Sequence, residues 1–129
     1  MQSKLFAIII SIFISITSFG QARLTIVNNS LRNMTVKVMQ GGGKGTLYET
    51  VHIGPSSQET VRFYTSGYYF TKTKAVLNSR DPIFKKGKSF RVTNNENGYS
   101  VLTLTFTIRE SAVAESTGQT ISRVEFEQN

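Results

Sequence analysis

The stretch VMQGGGKGTLYE, Val38 to Glu49, gathers four glycines around one lysine, a composition that suits a loop cradling phosphate. Phosphate loops of the nucleoside-triphosphatase kind need a glycine, four residues, then Gly-Lys-Ser/Thr, between a strand and a helix. Placing Gly43 and Lys44 on that Gly-Lys puts Val38 at the first glycine and Gly45 at the hydroxyl position. The segment that follows, TLYETVHI, alternates like a strand and offers no helix N-terminus to a phosphate. The stretch reads as a hairpin tip whose glycines permit positive φ, and no nucleotide or other cofactor is expected.

The remaining groups with catalytic potential are few. His52 is the single histidine and there is no cysteine, so thiol chemistry is excluded and a zinc site lacks ligands. Asp81 and several serines match a Ser-His-Asp triad by type, but no spacing orders them around His52. On a strand, Glu125 and Glu127 would sit about 7 Å apart, inside the range of glycosidase carboxyl pairs. On a terminal edge strand they serve better as charges that discourage sheet-to-sheet association. NNENG, Asn94 to Gly98, carries one carboxylate, fewer than a calcium loop uses, and reads as an Asn-rich turn. The expectation is a protein that is not an enzyme, with a small hydrolase as the lesser alternative.

The densest cluster is basic. Lys72, Lys74, Arg80, Lys85, Lys86, Lys88 and Arg91 fall within twenty residues, opposed by Asp81 and interleaved with Tyr68, Tyr69, Phe70, Phe84 and Phe90. With YYFTKTKAV and KSFRV as neighbouring strands, Lys72, Lys74 and Arg91 share an outer face, and NSRDPIFKKGK adds Arg80, Lys85 and Lys86 at one end. Such a face is a candidate site for the sulfate, carboxylate or phosphate groups of an anionic glycan or for lipid head groups. The alternative is that the aromatics are core and the lysines solubilise an exposed sheet.

The elements that would position these residues follow from alternation. RLTIVNN, NMTVKVM, TLYETVHI, ETVRFY and above all SVLTLTFTI alternate apolar and polar residues, the mark of strands with one buried face. Leu47, Val51 and Ile53 are expected inward on the third. NNSLRN, QGGGKG, GPSS, TSG, NSRDP and NNENG supply the turns. The fold class expected is all-β, one antiparallel β-sandwich of about seven or eight strands. RESAVAESTGQ reads as a surface excursion. A last edge strand is expected at about 119–127, with Val124 and Phe126 inward, and it offers a second functional reading: an assembly subunit pairing its edge with a partner.

Lys4, the apolar run Leu5 to Ile16 and the small residues Gly20 and Ala22 describe a secretory signal peptide over residues 1–22, cut after Ala22. The run is short for a transmembrane helix, so no membrane span is expected in the mature chain. The domain from residue 23 to 129 then holds 107 residues, with 14 basic and 8 acidic side chains and a net charge of +6. That size suits one core, and without cysteine it must stand on packing and hydrogen bonds. The expected location is periplasmic or secreted, which makes nucleic acid an improbable partner and an anionic glycan, lipid head group or envelope protein the reasonable ones.

YTSGYYF, Tyr64 to Phe70, resembles the stretch of immunoglobulin-like domains where a turn enters a Tyr-x-Cys strand. The resemblance implies that Tyr68 is the corner tyrosine, with Phe70 in place of the cysteine. VNNS together with IGPSSQETVRFYTSGYY is similar to small exported bacterial β-sandwich proteins of unknown function. The combined expectation is a non-enzymatic, exported binding or interaction module of the bacterial cell envelope.

Overall fold

The computed structural model describes residues 21–110 and 119–129. The expected leader up to residue 20, and most of the expected surface excursion, lie outside the described residues. The described strands are β1 (Ala22–Asn29), β2 (Asn33–Gln40), β3 (Thr46–Ile53), β4 (Gln58–Phe63), β5 (Gly67–Val76), β6 (Ile83–Lys86), β7 (Phe90–Val92), β8 (Asn94–Asn95), β9 (Gly98–Tyr99), β10 (Val101–Thr107) and β11 (Gln119–Thr120), followed by one short helix, α1 (Arg123–Glu127). A small sheet runs β10-β1-β4 and a large one β11-β6-β5-β2-β3, with β7 also on β5. Apart from α1 the regular structure of the described residues is all β, and the two main sheets share one core.

Alternation builds that core. Leu24 and Ile26 of β1, Val61 and Phe63 of β4, and Phe106 of β10 face Met34, Val36 and Val38 of β2, Tyr69 and Ala75 of β5, and Val92 of β7. Tyr48, Phe63, Tyr69 and Phe90 form an aromatic cluster at one end, with Tyr48 stacked on Phe63 at 5.4 Å and Phe63 tilted against Tyr69 at 4.5 Å. The arrangement matches the offset and edge contacts that aromatic rings favour.

Four expectations are corrected. Pairing is not antiparallel throughout, because β1 runs parallel to β10, with Leu24 beside Leu102 and Ile26 beside Leu104. The C-terminal strand at 119–127 is replaced by two strand residues and α1. Helical geometry buries Phe126 but leaves Val124 67% exposed. On β3, the ladder slips between the pairs Val38–Glu49 and Met39–Leu47. That bulge leaves Leu47 40% exposed and packs Tyr48 against the core instead. Tyr68, expected as a corner tyrosine, is 56% exposed, and it is its neighbour Tyr69 whose hydroxyl donates to backbone, to the Thr65 carbonyl at 2.9 Å. Ala22 is the first residue of β1 and is buried opposite Phe63.

A polar knot closes the other end of the sandwich. The buried Asn28 side chain donates to the carbonyls of Arg32, Ile53 and Gly54 at 2.8–3.1 Å. Arg32, also buried, reaches the Ala75 and Asp81 carbonyls and grips Glu110 with two parallel bonds, Nε to Oε2 at 3.0 Å and Nη2 to Oε1 at 2.9 Å. A bidentate guanidinium–carboxylate pair of this kind is among the stronger polar contacts. Hydrogen bonding from Arg32 holds the Glu110 carboxyl below its ordinary value of 4.5. The unfolded chain therefore takes up this proton at higher pH than the folded one, so the contribution is complete above about pH 4.5 and fades on acidification below it. The stability difference between the native protein and Glu110→Gln, read by urea unfolding, should shrink steadily as pH falls from 5 to 3; a constant difference would exclude this role.

Candidate anion-binding basin on the outer face of the large sheet

The register of the large sheet puts Lys37 of β2 opposite Lys72 of β5, and Lys72 opposite Lys86 of β6. Directly opposed residues of antiparallel strands share a face, so three ammonium groups stand in one row on the outer side. Like charges in that position repel. The C-terminal segment lies across the row and answers it. Lys72 Nζ donates to the Glu125 carbonyl at 2.9 Å and to the Gln128 carbonyl, and Lys37 Nζ donates to the Phe126 carbonyl at 3.1 Å and to Asn129 Oδ1 at 2.7 Å. The Glu125 carboxylate stands 3.9 Å from Lys86 Nζ. The last carbonyls of a helix lack intrahelical partners and carry partial negative charge, which makes this end of α1 a suitable lid for cations.

Local sequence explains why the lid forms. Ser122 caps α1, its Oγ accepting from the Glu125 amide at 3.1 Å, as in the S-x-x-E capping pattern. Ile121 just before the cap and Phe126 in the first turn pack with Phe84 of β6, a hydrophobic staple that is also driven onto the sheet. Lys37 stands 4.8 Å from the Phe126 ring centre, Arg123 4.9 Å from that of Phe84, and Lys86 5.0 Å from that of Phe70, all within cation–π range. Beneath the lid Lys72 is only 3% exposed. Burial, reinforced by the nearby charge of Lys37, lowers its pKa.

Beside the lid, the sheet and the β2–β3 turn enclose a basin of about 490 Å³ lined by Gly43, Lys44, Phe70, Lys72, Lys86 and Glu125, among others. The glycines of the turn are explained by geometry: Gly41, Gly43 and Gly45 have φ of +95°, +62° and +65°. A side chain at Gly45 would bring a Cβ to 2.8 Å from the Phe70 ring, so this position is closed twice over. The turn therefore folds down on Phe70 and brings Lys44 to the rim. Lys44 and Lys86 are the ammonium groups with donors to spare for an incoming anion, and Glu125 is the one carboxylate that opposes it.

The seven basic residues singled out in the sequence do not converge. Lys72, Lys74 and Arg91 share the outer face, as the register of β5 with β6 and β7 shows, but Lys72 is covered by α1. Arg80 is exposed 4.0 Å from Glu110, at the polar knot. Lys85 is buried and donates to Thr120 Oγ1 at 2.8 Å. Lys88 borders a separate cavity between the sheets. Arg91 lies opposite Tyr68. Lys86 and Lys72 alone join the basin, together with Lys44. His52 is exposed and pairs with Thr35 Oγ1 at 3.1 Å through Nδ1. Glu125 and Glu127 belong to α1, and Asn95 and Asn97 form the hairpin turn between β8 and β9. Among the described residues no three His, Asp or Glu side chains gather in a metal-binding group, and no helix is long and apolar enough to cross a membrane.

No family model matches the sequence, and no curated protein is significantly similar to it.

The lid is testable without a ligand. Acetylation followed by mass spectrometry should modify Lys44 and Lys88 quickly and Lys72 slowly. Phe126→Ala, which removes the staple, should raise Lys72 labelling about tenfold or more, equivalent to at least about 1.4 kcal/mol of lost lid stability. Equal rates in both proteins would mean that the lid does not protect Lys72.

Proposed function

We propose that the protein is an exported, non-enzymatic binding module of the bacterial cell envelope, an immunoglobulin-like sandwich that holds anionic groups of a glycan or lipid surface in the basin beside α1. The observation that carries this reading is the meeting of Lys44 and Lys86 at one rim over the Phe70 ring. Two cations beside an aromatic plane suit an anionic ring or a charged head group. The net positive charge of the chain adds long-range attraction of the same sign.

Export is supported by the charged start, the apolar run and the small residues before β1. The burial of Ala22 within β1 moves the favoured cut upstream, to the bond between Gly20 and Gln21, since removing Ala22 would leave an unpaired end at Phe63. The immunoglobulin-like reading is supported by the corner bond of Tyr69 and by two sheets sharing one core. The second reading, assembly through a C-terminal edge strand, would rest on Gln119 and Thr120 alone, because Arg123–Glu127 is helical.

Two measurements test the reading. N-terminal sequencing of the exported protein should begin at Gln21; a start at Arg23 would exclude the revised cut. Retention on anionic vesicles or on heparin should fall with salt, and Lys44→Gln and Lys86→Gln should each weaken vesicle binding about fivefold, about 1 kcal/mol per cation. Glu125→Gln should strengthen binding. Arg80→Gln, at the polar knot, serves as the control, and an equal loss there would reduce the effect to net charge alone.

A further inference from the structure

The small sheet and the large sheet are not packed together along their whole length. β10 lies at an edge of the small sheet, and its alternation aims Leu102, Leu104 and Phe106 at the large sheet. Phe106 is buried, whereas Leu102 and Leu104 pack against the core but stay partly exposed. The facing wall consists of Thr71 of β5, the half-buried Phe90 of β7 and the turn from Gly87 to Ser89. Between the walls is a cavity of about 400 Å³.

The turn explains why no side chain among the described residues fills it. The Gly87 amide donates to the Thr71 carbonyl at 2.9 Å, and a Cβ at Gly87 would stand 2.8 Å from Thr71 Oγ1. The chain is thus drawn onto β5 at a residue that contributes no bulk. Water gains little here, since an ordered water needs two to four polar partners and Leu24, Phe90, Leu102, Leu104 and Phe106 make up half of the lining residues. The exposed residues Lys88 and Ser89 stand at the opening, and no acidic residue lines the cavity.

We propose that this cavity takes the alkyl chain of a single-chain anionic amphiphile, of the long-chain carboxylate class, with its head group at Lys88. The volume falls inside the range of about 300–1,000 Å³ typical of small-ligand sites. A strand from another protein is a poorer occupant. Five extended residues run about 17 Å, and at spacings of about 4.8 and 10 Å to neighbouring strands and sheets they fill roughly twice the space available. An alkyl chain needs only a narrow, apolar channel, and Lys88 complements a carboxylate. This site is separate from the basin beside α1 and does not depend on it.

The test is a series from octanoate to tetradecanoate, titrated into the purified protein by displacement of a fluorescent fatty acid. Affinity should rise about fourfold per added methylene until the cavity is full, then level off. Leu104→Arg should lower dodecanoate affinity at least tenfold. If that variant fails to fold by circular dichroism, Leu102→Phe fills the same space conservatively and should shorten the longest chain accepted. Lys88→Gln should weaken dodecanoate and leave dodecanol unchanged, and Lys44→Gln with Lys86→Gln should leave both unchanged. Absence of dodecanoate binding to the folded protein, affinity independent of chain length, or binding abolished by the Lys44 and Lys86 substitutions but insensitive to Leu104→Arg would each overturn the proposal.

Discussion

Three ammonium groups fixed in one cross-strand row are a destabilising arrangement unless something neutralises them, and this constraint organises one whole side of the molecule. The strand ladders are set by the core face, where Met34, Val36 and Val38 must meet Thr71, Thr73 and Ala75 in register. Once that register is fixed, Lys37, Lys72 and Lys86 have no freedom to separate. A segment whose last carbonyls face the row is a fitting answer, because carbonyl oxygens solvate an ammonium group without adding a second full charge. The lid, the burial of Lys72 and the basin beside it all follow from that one juxtaposition.

The same sheet carries opposite chemistry on its two sides. Tyr69, Thr71, Thr73 and Ala75 face the core side, while Tyr68, Phe70, Lys72 and Lys74 alternate with them outward. Thr71 and Phe70 are neighbours in sequence, yet one lines the apolar cavity and the other floors the charged basin. A single ten-residue strand, β5, therefore separates a site suited to head groups from a site suited to hydrocarbon. The close approach of the turn at Gly87 to one side of β5, and of the turn at Gly45 to the other, relies on two residues whose side chains would collide with Thr71 and Phe70.

The strands and turns were legible because period-two alternation is a local signal, and β1, β2, β4 and β10 display it plainly. What was misread shows where local signals stop. Nothing in the sequence sets Lys37 apart, since only the ladder reveals that it stands opposite Lys72. The parallel pairing of β1 with β10 has no trace in either segment. The exchange of Leu47 for Tyr48 at the core is not visible in the sequence, because a bulge shifts parity without altering composition. The helix at the C-terminus was the one correctable error. Val124 and Phe126 mimic a strand, but Ser122 with Glu125 three residues later, flanked by Ile121 and Phe126, spells out a capped and stapled helix start. The basic cluster was visible as composition, while its dispersal over the outer face, the polar knot, the β6–β11 edge and the cavity mouth was a property of topology.

The pairing of β1 with β10 also governs when the molecule can exist. Arg23 meets Val101 across the ladder, and Arg32 and Glu110 are bonded at a separation of 78 residues. Contacts of such range form late and slow folding, because the intervening chain must be ordered before they contribute. During synthesis the first strand has to wait for nearly the whole chain to emerge before its parallel neighbour arrives. Until then the edge of β1 that β10 will cover has no strand beside it. A fold whose first and last long strands are partners thus carries a built-in delay, one that leaves the small sheet incomplete until most of the polypeptide has been made.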